Sequence, residues 1–144
     1  MYIYLITPII AFTLAQGLKM VLRSFKKKLG WRDLFSYSDM PSGHTAIVIA
    51  ITTIVALKLG LDSPFFAICL VFAMIVIVDA IGLRNYLGLH GKTINGLVKD
   101  LEEDNFLDDY YPKQLEKIGH TPLQVIAGGI IGVVVSVIIY IIYQ

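Results

Sequence analysis

The eight residues from Ser38 to Thr45 place a turn, a helix start and an ionisable side chain next to one another. Pro41 and Gly43 interrupt what precedes them, and Ser42 is a suitable N-cap for the apolar helix predicted to follow. His44 would then lie in the first turn, where free backbone N–H groups and the positive end of the helix dipole favour an anion. The stretch therefore predicts an anion site that contains a proton-transfer group. A polar cap with a solvent-facing histidine explains the same residues equally well.

Four further residues carry side chains that suit the chemistry of a phosphoryl group: Lys19, Asp79, Arg84 and His120. Cations and N–H groups neutralise phosphoryl oxygens, one histidine can attack phosphorus, and another can protonate the leaving oxygen. Asp79 would orient a histidine or an arginine, or form a structural ion pair with Arg84. Lys19, near the end of an apolar segment, would face the bundle or extend to the headgroups. No carboxylate cluster or Cys/His spacing predicts a metal site, and no cofactor is expected.

The rest of the sequence is predicted to position these residues at the ends of membrane-spanning helices. With 56% hydrophobic residues among 144, the chain is too apolar for an ordinary soluble domain, and a net charge of +1 gives no basis for nucleic-acid binding. We predict one all-α domain over residues 1–144, an integral membrane bundle of about four helices with a short amphipathic helix on the cytoplasmic surface. The predicted spans are about 1–22, 45–61, 64–83 and 122–143, and the amphipathic insert covers about 92–109.

The distribution of positive charge predicts the orientation of these spans. Four spans put both termini on one side of the membrane and two polar loops, 23–39 and 84–121, on the other. Eleven of the 12 lysines and arginines lie in or beside those loops, and Lys58 alone lies near the other side. The positive-inside rule then makes the loops cytoplasmic and both termini extracytoplasmic, in the cell membrane. Polar groups that converge on one membrane face indicate a site. Five such features converge on the cytoplasmic face: Lys19, Ser42–His44, Asp79, Arg84 and His120.

Several motifs of the chain resemble those of one superfamily. Pro41-Ser42-Gly43-His44 resembles the central motif of the type 2 phosphatidic acid phosphatases, whose superfamily includes the vanadium-dependent haloperoxidases. The segment His120–Gly132 is similar to the second half of their last motif, and Arg84 matches the arginine of its first half. The amphipathic insert separates the two halves, which is similar to the small divergent branch of the superfamily, as are Thr93–Asn95 and the Gly119-His120 pair. The resemblance covers nearly the whole chain and rests on the order of the motifs.

The resemblance implies a role for each site residue. His120 would be the nucleophile that forms a phosphohistidine, and His44 would protonate the leaving group. No metal would take part. The phosphate oxygens would be held by Ser42, Gly43, Arg84 and Lys19.

Three departures from the superfamily's pattern bear on these roles. Gln124 stands where the main branch has an aspartate, and it can hydrogen-bond imidazole but cannot stabilise imidazolium by charge. The first motif of the main branch, a lysine followed by Arg-Pro, is absent, so Lys19 is only an approximate counterpart. His90 repeats the arginine-to-histidine spacing from Arg84 without the continuation that follows His120, and we interpret it as a surface histidine.

Together the motifs and the resemblance indicate a membrane phosphatase that hydrolyses a lipid phosphate or a prenyl phosphate or diphosphate, with membrane lipid and a phosphorylated lipid substrate as partners. One alternative is a catalytically weak protein that binds a phosphorylated lipid as a scaffold or transport partner. Another is phosphoryl transfer to an acceptor other than water. The segment from about Thr93 to Tyr111 would be a membrane-surface lid or a solvated connector. Gly128 and Gly132, four residues apart, would allow close contact with another helix, including that of a homodimer partner.

Overall fold

Five helices make up the part of the chain that the structure, a computed structural model, describes: residues 2–25, 39–100 and 113–144. No strand occurs among these residues, so the prediction of an all-α fold is confirmed. The helices are α1 (Ile3–Ser24), α2 (Gly43–Leu59), α3 (Pro64–Ile81), α4 (Leu83–Asp100) and α5 (Pro122–Ile142).

Local sequence signals set the ends of the two helices that meet at the site. The Ser42 hydroxyl oxygen accepts from the N–H of Thr45 at 3.4 Å and from its hydroxyl at 2.9 Å, which caps α2. Gly60 follows the last residue of α2 with φ 83°, a conformation that glycine adopts without strain. Thr121 and Gln124 form a reciprocal capping box at the start of α5. Helix starts near Ser42 and Thr121 are therefore encoded in a few neighbouring residues.

The helices are long and apolar enough to form a membrane-integrated bundle. Three helical stretches could cross a bilayer by length and composition: Ile3–Ser24, Pro64–Lys99 and Pro122–Ile142. The helix Gly43–Leu59 is also apolar but shorter. Large apolar side chains on the outer faces of the helices are exposed in the isolated chain, as expected of surfaces that face lipid. The direction in which the bundle lies in the membrane stays a prediction.

Helix α2 is central to the bundle and packs against α1, α3 and α5. Its contact with α5 is made by small residues at one-turn intervals. Gly128 lies directly on the carbonyl oxygen of Ser42, and a Cβ on Gly132 would lie 2.7 Å from that of Ala46. One turn further, the Ser136 hydroxyl donates to a carbonyl oxygen of α2 at 2.9 Å. Because no side chain separates the two backbones here, the helices approach closely and pack by direct backbone contact.

The same glycines bear on the predicted homodimer. Gly128 and Gly132 are buried against α2 of their own chain, so their surface is not available to a second copy. A homodimer therefore stays a prediction and would need another contact surface. Buried apolar residues of α1, α2 and α5 form the core of the bundle. The core residues are Ala11, Ala15, Ala46, Ala50, Val135 and Ile139.

A single residue, Gly82, separates α3 from α4, so α4 begins earlier than the predicted amphipathic helix at about 92–109. Gly82 ends α3 by donating its N–H to the carbonyl of Val78 at 2.8 Å, and its own carbonyl accepts the N–H of Asn85 at 3.0 Å. Helical hydrogen bonding therefore resumes directly after the glycine, whereas the sequence prediction followed the change in polarity further along. Residues 101–109 of the predicted helix and 101–111 of the predicted lid lie outside the described residues.

Candidate active site

The first turn of α2 is fixed between two neighbouring helices. The N–H of Ser42, a fully buried residue, donates to the carbonyl oxygen of Gln124 in α5 at 3.0 Å. On the other side, a Cβ on Gly43 would lie 3.0 Å from the ring of Phe12 in α1, so only glycine fits without displacing that ring. The N–H groups of Gly43 and His44 belong to the first helical turn, which has no intrahelical acceptors for them. They are donors at the positive end of the helix dipole, as the sequence predicts.

Lys19 is buried in the bundle, with 5% of its surface exposed. The sequence left open whether this lysine faces the bundle or extends to the headgroups. Its burial is consistent with a side chain that faces the bundle. One turn further along α1, Arg23 forms an ion pair with Asp39 at 3.0 Å. Because Asp39 lies just before the start of α2, this pair ties the end of α1 to the entry of α2. Lys19 lies one helical turn before this pair and interacts electrostatically with His44 at the start of α2.

Asp79 and Arg84 form an ion pair at the junction of α3 and α4. The Arg84 Nε donates to Asp79 Oδ2 at 2.6 Å, and the two side chains are 26% and 31% exposed. Charge-assisted hydrogen bonds of this length fix the guanidinium plane, while the other guanidinium nitrogens keep N–H groups that can bind an anion. Asp79 is thus the ion-pair partner of Arg84, which the sequence indicated as one possible partner.

Residues 113–120, which we call the strap, run along one face of α4. A Cβ on Gly88 or on Gly91 would lie 2.5 Å from a carbonyl oxygen of the strap, so the strap backbone lies directly on the helix at both glycines. Further along the same face, Asn95 Nδ2 donates to the carbonyl of Gln114 at 2.9 Å, and Asn95 Oδ1 accepts the N–H of Gln114 at 2.8 Å. The side chain of Asn95 therefore pairs with the strap as a neighbouring strand would.

The strap ends at His120, whose backbone is bound on both sides. Its N–H donates to the carbonyl oxygen of Ala80 at 2.9 Å. Its carbonyl oxygen accepts from Asn85 Nδ2 at 3.3 Å, and the same amide group donates to the carbonyl of Ile81 at 2.5 Å. Since Asn85 follows Arg84 in α4, these bonds hold the histidine and the arginine at the same junction of the chain.

The imidazole of His120 is buried in the described part of the chain. Only 2% of the residue is exposed, and neither Nδ1 nor Nε2 has a partner among the described residues. Burial lowers the pKa of His120 to about 4, and the positive charges of Lys19, His44 and Arg84 contribute in the same direction, against a smaller opposing effect of Asp39. The ring is therefore neutral at neutral pH. Three of these electrostatic neighbours, Lys19, His44 and Arg84, are residues that the sequence predicted at the site, and His44 itself is exposed.

Gln124 has a structural position that the sequence prediction did not assign to it. Its Oε1 accepts the N–H of Thr121 at 2.8 Å within the capping box, and its carbonyl accepts the N–H of Ser42. The residue therefore caps α5 and connects it to α2. The pattern Thr121-Pro-Leu-Gln124 is a capping-box signature and could have predicted this from the sequence. His90 lies on the exposed surface of α4, in agreement with its interpretation as a surface histidine.

The strap contacts are the features of the site that sequence reasoning missed. Asn85, Gly88, Gly91 and Asn95 recur at helical spacing, and small or amide residues at such spacing could have indicated a face for backbone contact. A cavity of about 380 Å³ is lined by strap residues 116–120 and by Asn85, Leu89, Thr121 and Gln124, and neither Lys19 nor Arg84 lines it. The described residues contain no group of three His, Cys, Asp or Glu side chains placed to hold a metal ion.

Comparisons with known proteins agree with this description. A family profile named Divergent PAP2 family matches residues 2–135. An uncharacterized membrane protein of Bacillus subtilis, YuiD, is 35% identical over 147 residues, which cover 94% of this chain and 92% of the relative. No solved structure gives a significant match.

Proposed function

Since the chain belongs to the Divergent PAP2 family, we propose that it is a membrane phosphatase that hydrolyses a lipid phosphate or a prenyl phosphate or diphosphate through a phosphohistidine. The reaction takes place at the cytoplasmic face and uses no metal ion. Apart from the membrane lipid, its partner is the phosphorylated lipid substrate. The proposed site residues are Lys19, Ser42, Gly43, His44, Asp79, Arg84 and His120.

One observation carries this proposal: His120 is a buried, neutral imidazole whose ring has no hydrogen-bond partner among the described residues, and it lies near positively charged groups. A nucleophilic histidine needs an unprotonated ring nitrogen, and a pKa of about 4 leaves that lone pair available at neutral pH. A histidine kept only for packing would normally satisfy at least one ring nitrogen, because an unsatisfied buried polar group costs about 1–3 kcal/mol. A phosphoryl group bound beside the ring would supply the missing contact.

In the first step a nitrogen of His120 attacks phosphorus, and the bond from phosphorus to the leaving oxygen breaks. Protonated His44 gives its proton to that oxygen, so the leaving group departs as an alcohol from a phosphomonoester and as a prenyl monophosphate from a diphosphate. Lys19 and Arg84 compensate the charge on the phosphoryl oxygens, and the N–H groups of Gly43 and His44 donate to them from the start of α2. Asp79 fixes the guanidinium of Arg84 by the bond at 2.6 Å.

In the second step water attacks the phosphorus of the phosphohistidine. The bond between phosphorus and the His120 nitrogen breaks, and the electron pair returns to the ring. His44, neutral after the first step, takes one proton from the attacking water. Both residues thus regain their starting protonation states, and inorganic phosphate leaves.

The proposal is tested with purified protein in detergent micelles and a panel of substrates: phosphatidate, phosphatidylglycerophosphate, a prenyl phosphate and a prenyl diphosphate. We expect phosphate release from at least one member, and inhibition by vanadate, which mimics the transition state. His44→Ala and His120→Ala should each lower turnover by a factor of about 100 or more. His90→Ala is the matched control, because His90 is exposed on α4 and should keep full turnover.

Two outcomes would contradict the proposal. No phosphate release from any panel member would exclude the phosphatase function for these substrates. Loss of activity in His90→Ala, with activity retained in His120→Ala, would show that the nucleophile is His90 and not His120.

A second candidate function is binding of a phosphorylated lipid without turnover, as a scaffold or transport partner. It is favoured by the absence of any described carboxylate that hydrogen-bonds the His120 ring, because such a group would stabilise the imidazolium. In a flotation assay, a binding protein would float with vesicles that contain phosphatidate but would release no phosphate from this lipid. His120→Ala would weaken the binding. Gln124→Asp separates the two functions further, since only an enzyme that lacks charge at this position would gain turnover.

A further inference from the structure

Gln16 in α1 has a buried amide oxygen for which the proposed mechanism has not yet given a role. Its Oε1 is inaccessible to solvent and has no hydrogen-bond partner among the described residues. Leaving such an acceptor unsatisfied costs about 1–3 kcal/mol, and native proteins seldom retain one without a functional reason. In the described part of the chain, the other buried side-chain atoms without a partner are the two ring nitrogens of His120.

Gln16 lies beside the start of α2. Its Cδ is 3.7 Å from the position that a Cβ on Gly43 would occupy, so the amide group contacts the first turn of that helix. Lys19 follows three residues later on the same face of α1. Gln16 therefore adjoins both the helix start and the lysine that the proposed function places around the phosphoryl group.

An acceptor at this position is unusual because the proposed phosphate site consists of donors. Lys19, Arg84 and the first N–H groups of α2 all donate to phosphoryl oxygens. The attacking water has two hydrogens, and His44 accepts one of them. Orientation of the water requires an acceptor for the second hydrogen, as phosphoryl-transfer enzymes achieve with a glutamine that positions the attacking water.

We propose that Gln16 Oε1 accepts the second hydrogen of the water that hydrolyses the phosphohistidine, and thereby orients this water for attack. This role rests on the proposed function and concerns its second step only. The water oxygen bonds to phosphorus, the bond from phosphorus to the His120 nitrogen breaks, and one water proton moves to His44. The second hydrogen stays on the oxygen that becomes part of phosphate, and Gln16 undergoes no chemical change.

The test compares the two steps in Gln16→Leu, which keeps the approximate size of the side chain and removes the acceptor. The probe is the panel member that the unsubstituted protein hydrolyses fastest, labelled with ³²P in its terminal phosphoryl group. We expect release of the leaving group, an alcohol or, from the diphosphate, a prenyl monophosphate, to keep its rate in the first turnover, while steady-state phosphate release falls about 10- to 100-fold. Acid-labile, base-stable ³²P should then accumulate on the protein, as expected of a phosphohistidine.

Two further variants control for structural effects. Thr13→Val removes a hydroxyl from the exposed face of the same helix, where it donates to the carbonyl of Ile9, and should change neither step. Gln16→Glu keeps an acceptor oxygen at the same position, so it should release phosphate faster than Gln16→Leu and accumulate less labelled protein, even if its KM rises through charge repulsion.

The outcomes separate the two proposals. If the unsubstituted protein hydrolyses no panel member, the proposed function fails and this role fails with it. If it does hydrolyse one, an equal loss of both steps in Gln16→Leu, or unchanged phosphate release without labelled protein, would overturn the role of Gln16 alone. Equal accumulation of labelled protein in Gln16→Glu and Gln16→Leu would also contradict it.

Discussion

The two halves of the candidate site are held by different kinds of contact. The frame, by which we mean α1, α2 and α5, carries Lys19 and the Ser42–His44 turn and is packed through small buried residues. The arm, by which we mean α4 and the strap, carries Arg84 and His120 and is held by backbone contacts at glycines and by amide hydrogen bonds. Lys19 and the Ser42–His44 turn, the proposed phosphate ligands of the frame, therefore meet the proposed nucleophile through the docking of the arm.

The residues that hold the frame together are also more deeply buried than those that hold the arm. Ala46, Ala50 and Ser136 in the frame are fully buried, whereas in the arm Asn95 is half-buried and Gln114 is exposed. Contacts that bury little apolar surface and compete with water belong to the less stable parts of a protein. Substitutions in the frame should therefore affect folding, and substitutions in the arm should affect catalysis first.

The largest effect is expected for Gly128→Ala in the frame. The added methyl group would overlap the Ser42 carbonyl oxygen, and forcing an atom into such a contact costs about 3 kcal/mol, more than the roughly 1 kcal/mol that alanine adds to helix propensity. We expect a clear fall in the midpoint of thermal unfolding in detergent. Gly129→Ala is the matched control, because its new Cβ would have no neighbour closer than 3.9 Å. Similar midpoints for both variants would contradict the description of the frame.

The next effect concerns the pH dependence of stability, which reports how firmly the arm buries His120. Its pKa is about 4 in the folded protein and near 6.5 when exposed, so the unfolded chain binds more protons between these values. The contribution of neutral His120 to the free energy of unfolding should be fully present above pH 7, and the free energy of unfolding should fall by about 2 kcal/mol between pH 7.5 and pH 5. Unfolding would be measured across this range in the unsubstituted protein and in His120→Gln. An equally steep dependence in both would show that His120 is not the cause.

A third prediction concerns Gly91→Ala in the arm. A methyl group here would lie 2.5 Å from the carbonyl oxygen of Leu115 and would lift the strap from α4. Because Gly91 lies outside the frame, we expect turnover to fall about tenfold or more, equivalent to roughly 1.4 kcal/mol, with a small change in the unfolding midpoint. Gly96→Ala on the same helix meets no atom within 4 Å and should be neutral. If Gly91→Ala unfolded at the same temperature as Gly128→Ala, the proposed difference in stability between the frame and the arm would be wrong.

The smallest effect is expected for Asn95→Ala. The substitution removes the exposed amide hydrogen bonds to Gln114, each worth about 1 kcal/mol, which water replaces in part. Turnover should fall about three- to fivefold without a change in KM, since Asn95 contacts the strap and no proposed phosphate ligand. Steady-state kinetics would measure this, with Lys92→Ala on the same helix as the control. A rise in KM with unchanged kcat would instead indicate a direct effect on substrate binding.

The sequence predicted those parts of the molecule that depend on nearby residues. Ser42 caps α2 because its hydroxyl reaches Thr45 three residues later, and the apolar stretches indicate membrane helices by their length and composition. Both signals are contained in short segments and need no knowledge of the tertiary fold.

What the sequence did not predict depends on contacts between distant segments. Gly128 and Gly132 indicated a helix contact, but the choice between α2 and a second chain is decided by three-dimensional packing. Gln124 was interpreted only by its spacing from His120, although the nearer Thr121 decides its hydrogen bond. Asn95 contacts a residue 19 positions away, and no local periodicity reveals such a partner.

The length of α2 has a consequence for the membrane itself. Its 17 residues extend about 25 Å, whereas the 22 residues of α1 extend about 33 Å, and a typical hydrocarbon core is about 30 Å thick. A helix that is too short is accommodated by local thinning of the bilayer, and the helix here begins at the Ser42–His44 turn. We therefore expect the lipid headgroups nearest the start of α2 to be drawn inward, and the acyl-chain length of the surrounding lipids to affect access to this turn.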